Sequence, residues 1–272
     1  MTVRMPCYFI SHGGGPWPWV PAMRSAFAKL EQSLVAMVAG FPERPRAILM
    51  VSGHWETDSV RIMAAAKPGM VYDYYGFPPH TYDIVYPAPG APDVAERVAA
   101  LLNGAGIGAT LDPDQGLDHG TFAPMAAMYP QADMPVLQMS ILRSFDPAQH
   151  LAIGRALAPL RDEGVAIVGS GLSFHNLRLF GPSAQEPSNA FDRWLAEALA
   201  KPQAEREAAL LGWEAAPFAR VCHAREDHLV PLFVALGAAG GDPASRIYHD
   251  VNLMGGVTAS SYQFSASGDL AR

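Results

Sequence analysis

The sequence has little cysteine, little basic charge and no long apolar run. Only Cys7 and Cys222 are cysteines among 272 residues. Two thiols give no disulfide framework and suit a reducing cytoplasm, the expected location. Cys222 beside His223 is not a nucleophile pair, because neighbouring side chains on a regular element point apart; a buried, inert thiol is expected. With 19 Lys and Arg against 26 Asp and Glu, the formal net charge is −7. No basic run offsets it, which argues against nucleic-acid and anionic-membrane partners. No stretch approaches the ~20 apolar residues of a membrane helix. A charged segment leading into a long apolar one is missing near Met1, so no signal peptide is expected. A G-x-S-x-G elbow is also absent, leaving His12 to Gly15, which mimic an oxyanion-hole HGGG, without a nucleophile.

What is present describes a globular chain, with 50% hydrophobic and 17% charged residues and length enough for a substantial core. No repeat or linker divides it, so 1–272 is expected to form a single α/β domain with a mostly parallel central sheet flanked by helices. The organising stretch is Ala47 to Trp55, AILMVSGHW. Its unbroken apolar run predicts a strand buried on both faces, stopping at Ser52-Gly53 with His54 just beyond. Cys7 to Ile10 runs into His12 in the same way, and Val165 to Val168 leads through Gly169-Ser170-Gly171 to His175. Ligands of such sheets sit past the carboxyl ends of the strands.

Other predicted strands are 60–64, 109–111, 136–142 and a last one at 247–251, after which the tail from Ser260 reads as polar. Helices are predicted at 21–39, 92–103, 122–129, 149–161, 189–200, 204–211 and 229–239. Tyr72 to Gly90, crowded with aromatics, prolines and glycines, predicts a long ordered loop of the kind that carries function. His80 in that loop, His150 at a helix start and His249 on the last strand are expected to be surface or solvated residues.

Nine histidines are present. A single histidine is more often structural than functional. His12, His54, His119, His175 and His228, gathered by strand ends, a Gly-flanked loop and a helix start, together predict a metal or acid–base site. Two ligand sets remain open by spacing. One has two histidines and a carboxylate, drawn from Glu56, Glu226 or Asp227, as in non-haem Fe(II) sites. The other has three histidines, His12, His54 and His228, which equally suits Zn(II). Trp17, Trp19, Phe77, Tyr82 and Tyr262 are candidates for walls around an aromatic ring. Arg143, Arg178 and Arg225 are available to a substrate carboxylate.

The segments SHGGGP (11–16), SGHW (52–55), YGFP…YDIVYPAPG (75–90), LDHGTFAPMAAMYP (117–130), GSGLSFHNL (169–177), EDHLVPLFVALGAAG (226–240) and SSYQF (260–264) resemble the class III extradiol dioxygenases. Within that group they are most similar to the DOPA 4,5-dioxygenase branch. The resemblance implies oxygenative ring cleavage of a catechol-type substrate, with a small aromatic diol and O2 as partners. It implies Fe(II) for activity, with Zn(II) as another bound ion, held by His12, His54 and His228. It also implies that His175 is the acid–base residue and a potential fourth ligand, and that His119 is a second catalytic residue. The rival expectation is a zinc-dependent hydrolase or a zinc-bound non-oxygenase of the same fold. A monomer and a homo-oligomer fit the sequence equally.

Overall fold

The computed structural model describes residues 3–266. Eight strands form one sheet: β1 (Cys7–Ser11), β2 (Ala47–Thr57), β3 (Val60–Met63), β4 (Ala109–Asp112), β5 (Val136–Leu142), β6 (Val165–Gly171), β7 (Ala244–Leu253) and β8 (Val257–Phe264). Their order is β4-β3-β5-β2-β6-β1-β8-β7. The central four, β5-β2-β6-β1, run parallel; Met50 lies between Gln138 and Val168, and Val168 in turn faces Tyr8. β8 and β3 pair antiparallel with β1 and β5, and β7 closes one edge antiparallel to β8. The centre is parallel because its strands are apolar on both faces and both faces are covered by helices. β6 shows this by alternation. A Cβ on Gly169 would point into Pro231 of the helix Val230–Ala239, whereas the Ser170 hydroxyl donates to the Gly120 carbonyl in the helix His119–Met128 on the opposite face.

All ten residues of Val230–Ala239 are buried. That helix packs along β6, β1 and β2 and carries Pro147–Leu157 on its outer side. On the other face, Ala28–Ala39 packs against His119–Met128. No helix among the described residues is long and apolar enough to cross a membrane.

Several sequence expectations change. β2 does not stop at Gly53 but continues to Thr57, so His54 lies inside the strand. Between the pairs Val51↔Met139 and Glu56↔Ile141, four residues of β2 face one of β5. This bulge twists the strand locally and re-aims His54. The predicted helix 21–39 is two helices, Pro21–Ala26 and Ala28–Ala39, broken at Phe27, which is buried with its ring 5.7 Å from that of Trp17.

The stretch 247–251 belongs to the longer β7 and is not the last strand. Of the tail read as polar from Ser260, residues 267–272 lie outside the described residues, and residues 260–264 are the end of β8, which is buried throughout. Its serines can be buried because they are hydrogen-bonded. Ser261 Oγ accepts from the Ser11 backbone N–H at 2.9 Å, and the Ser260 N–H donates to Ser173 Oγ at 2.8 Å.

His150 is fully buried rather than solvated. Its Nδ1 lies 2.7 Å from the Asp146 carbonyl and its Nε2 lies 3.0 Å from the Leu142 N–H. The ring therefore donates through Nδ1, accepts through Nε2, and completes the end of β5. Replacing it with alanine orphans that half-buried N–H, and the expected loss is about 1–3 kcal/mol of unfolding free energy. Urea denaturation checks this against His80→Ala, an exposed site where a change within about 0.5 kcal/mol is expected.

Candidate metal centre and catalytic cavity

Five histidines meet at the carboxyl ends of the central strands. His12 follows β1, His54 sits on the bulge of β2, and His175 follows β6. His119 opens its helix, and His228 precedes Val230–Ala239. The His12 ring centroid lies 5.0 Å from that of His54, 5.3 Å from His119 and 5.1 Å from His228. His175 stacks on His228 with centroids 3.4 Å apart. His175 is anchored through its backbone, whose N–H donates to the Cys222 carbonyl at 3.0 Å.

Backbone without side chains lets these segments close up. A Cβ on Gly171 would stand 2.1 Å from the His228 carbonyl, so only glycine admits the His228 segment onto the end of β6. Gly13 holds φ at +83° and turns the chain over Trp17. Trp17 is fully buried there, its Nε1 donating to the His12 carbonyl at 2.8 Å.

Two carboxylates stand beside four of the rings. Asp73 Oδ2 lies 2.9 Å from His119 Nδ1 and 3.2 Å from His54 Nδ1, and Asp73 Oδ1 also accepts the His119 backbone N–H. Asp227 places Oδ2 3.1 Å from His228 Nδ1 and Oδ1 3.7 Å from His175 Nδ1. The hydrogen bond to Asp73 fixes the tautomer of His119, and a carboxylate beside Nδ1 of the other three favours the proton there, which leaves Nε2 as the lone-pair donor. His54 Nε2 and His228 Nε2 face each other at 3.2 Å. Two lone pairs at that separation repel unless a cation lies between them. Metal–imidazole bonds of about 2.0–2.1 Å put neighbouring ligand nitrogens roughly 3.0–3.4 Å apart.

His12 adds a second sign, since it is buried with neither ring nitrogen hydrogen-bonded. The residues therefore fit a divalent metal. Metal-capable atoms fall into two sets, His12-His54-His119 and His175-Asp227-His228, each within 4.8 Å. The His54–His228 approach joins the two, so the centre is better described as one cluster.

The carboxylates left open by the sequence are placed as follows. Glu226 is paired with Arg220 and Glu56 with Arg225. Asp227 lies on the Nδ1 side of its two histidines. Asp73 was missed in the sequence; its signal was an acid at the start of the aromatic loop.

Burial and the neighbouring imidazoles hold His12 and His54 well below the ordinary histidine value. Burial lowers His228 to about 4 against the opposing pull of Asp227. Burial raises Asp227, but the adjacent imidazoles of His175 and His228 outweigh it and hold the carboxyl well below the usual range. Beneath the cluster, Asp118 is pushed up to about 7 by burial and by the charge of Asp73; Ser52 Oγ donates to it at 2.8 Å.

A cavity of about 600 Å³ opens on the cluster, walled by Phe27, Tyr74, Phe77 and Phe174. Of the ring-wall candidates, Phe77 lines it. The other four do not line it. Trp17 supports the glycine turn, Tyr82 packs against Tyr74 at 5.4 Å, and Tyr262 is buried in β8. Trp19 packs on Phe122.

Buried neutral histidines predict acid lability of the metal-free protein. Unfolded histidines take protons near 6.5, but folded His150 and His228 do so at about 4 and His223 at about 3, all through burial. Below about pH 6.5 the unfolded chain binds more protons, so stability falls as pH drops from 7 toward 4. Asp118 opposes this: its folded value near 7 exceeds the ordinary 3.8, so its proton favours the folded state over that range. Three histidines outweigh one carboxyl, and the urea midpoint of chelator-treated protein should fall between pH 7 and 4.5. A flat or rising midpoint would contradict this.

Over residues 7–265 the sequence matches the family described as the catalytic LigB subunit of aromatic ring-opening dioxygenase. Dioxygenase tasH of Hapsidospora irregularis is 39% identical, covering 96% of this chain and 86% of that one. The 4,5-DOPA dioxygenase extradiol of Beta vulgaris is 36% identical over 96% of both chains. The enzyme of that name from Escherichia coli K12 is 34% identical over 96% and 95%. The crystal structure of an uncharacterized E. coli K12 protein has a TM-score of 0.77 at 30% identity, covering 96% of this chain and 100% of that one. A histidine-lined cavity at the strand ends and matches of this extent agree: the chain belongs to the class III extradiol ring-opening dioxygenases, in the branch of the 4,5-DOPA dioxygenases.

Proposed function

We propose that His12, His54 and His228 hold a non-haem Fe(II) ion, with Zn(II) as a competing occupant, and that the cavity beside them takes a catechol with a DOPA-like side chain. The observation that carries the ligand set is the 3.2 Å approach of His54 Nε2 to His228 Nε2, with carboxylates occupying the opposite nitrogen of each ring. When bound, the ion would supply Lewis acidity toward the diol and a path for electrons between diol and dioxygen.

The chain's own residues do the remaining work. His175 has Asp227 on its Nδ1 side and stacks on His228, so its Nε2 is free for a hydroxyl beside that ligand. It takes a proton from the catechol and returns it as general acid when the ring opens, duties suited to an imidazole near neutral pH. His119, held through Nδ1 by Asp73, offers Nε2 as acceptor to the second hydroxyl or to a proton-bearing oxygen. Phe27, Tyr74, Phe77 and Phe174 surround the ring and exclude water. Buried thiols at Cys7 and Cys222, both pushed up to about 12 by burial, support a cytoplasmic setting.

Variants test the roles separately. His12→Ala, His54→Ala and His228→Ala should each lose metal after anaerobic Fe(II) loading and desalting, measured by elemental analysis. His175→Ala should keep its iron and lose roughly 10²–10⁴-fold in ring-opening rate. Asp73→Asn should bind iron about 10–100-fold more weakly through misaligned His54. Full iron in His228→Ala, or loss of iron in His175→Ala, would overturn the assignment.

A further inference from the structure

Of the three arginines available to a substrate carboxylate, Arg143 is paired with Asp58 in a neighbouring polar hollow that shares Glu56 with the cavity, and Arg178 is exposed and does not line the cavity. Among the described residues that line the cavity, Arg225 is the only lysine or arginine. Its guanidinium lies 4.8 Å over the Phe145 ring, and Nη2 donates to Glu56 Oε2 at 2.5 Å. Nη1 stands 3.8 Å from Asp227, which is itself 3.1 Å from His228 Nδ1. Among the described residues, Nη1 and Nε of Arg225 donate no hydrogen bond, and the side chain is 55% exposed. Glu56 also lines the cavity, at 19% exposure.

A guanidinium clamped between an aromatic face and a carboxylate has lost much of its freedom, so a ligand meets a pre-set fork. The pair as a whole carries no net charge. A lone arginine would favour any anionic tail, whereas Arg225 with Glu56 disfavours a plain carboxylate through the repulsion of Glu56. It likewise disfavours a plain ammonium through the repulsion of Arg225. A tail bearing both charged groups on one carbon satisfies both members. Arg225 stands two contacts from His228, so such a tail would meet the pair while the ring occupies the histidine cluster.

We infer that Arg225 and Glu56 form a specificity-determining socket that selects catechols carrying a zwitterionic α-amino-acid head, the carboxylate meeting Arg225 and the ammonium meeting Glu56. The inference rests on the ring-opening reading above and assigns two residues to its substrate preference.

The test measures anaerobic dissociation constants and aerobic kcat/KM of iron-loaded protein for L-DOPA, 3-(3,4-dihydroxyphenyl)propionate, dopamine and 4-methylcatechol. Wild type, Arg225→Gln, Arg225→Lys and Glu56→Gln are compared after their iron content has been matched. Wild type should favour L-DOPA over the other three. In Arg225→Gln the kcat/KM ratio of L-DOPA to dopamine should fall about 10-fold, mainly through KM and mirrored in the dissociation constants, with part recovered in Arg225→Lys. In Glu56→Gln the ratio of L-DOPA to the propionate should fall instead. If both ratios stay within about twofold of wild type, the socket is refuted while the ring-opening reading stands. A wild type that binds and opens none of the four catechols refutes that reading, and the socket with it.

Discussion

Each of two carboxylates stands against the Nδ1 side of a pair of imidazoles, and the rest of the site depends on that arrangement. Asp73 joins His54 to His119, and Asp227 joins His228 to His175. Within each pair one histidine is a proposed ligand and the other a proposed acid–base or hydrogen-bonding residue. Because both carboxylates sit on Nδ1, all four rings present Nε2 to the same space, and His12 completes the group from below without a carboxylate of its own. Neutral imidazoles packed this closely are held that way by burial. The fold thus maintains a set of lone pairs at some cost to its acid stability.

The sheet makes the convergence geometrically simple. Parallel strands β1, β2 and β6 end side by side, so residues just past or near their ends arrive at one edge although they are distant in sequence. Helix starts supply the other two histidines. Gly171 allows the His228 segment to settle onto the end of β6, and the bulge in β2 turns His54 toward it.

Much of this was legible in the sequence because it depends on local pattern. Apolar runs ending in Gly and His marked three of the five histidines, and flanking glycines marked His119. The hidden parts rest on long-range partners. Asp73 lies in a loop with no periodicity, and only folding brings it to His54 and His119. The serines of β8 look solvated until Ser11 and Ser173 are seen to satisfy them. His150, beside a helix start, looked exposed, yet its ring closes the end of β5. Trp17, Tyr82 and Tyr262 were aromatic and near motifs, but composition alone does not separate cavity wall from supporting core. Arg225 could not be chosen among three arginines until the cavity showed which one it borders.

The central claim is that one ion binds between histidines of three distant segments, and an anomalous-difference map of crystals loaded anaerobically with Fe(II) tests it most directly. The account predicts a single strong iron peak about 2.1 Å from ring nitrogens of His12, His54 and His228, with Asp73 and Asp227 remaining on the far side of their rings. A peak bound by one of those carboxylates, or no peak among the three histidines, would contradict it.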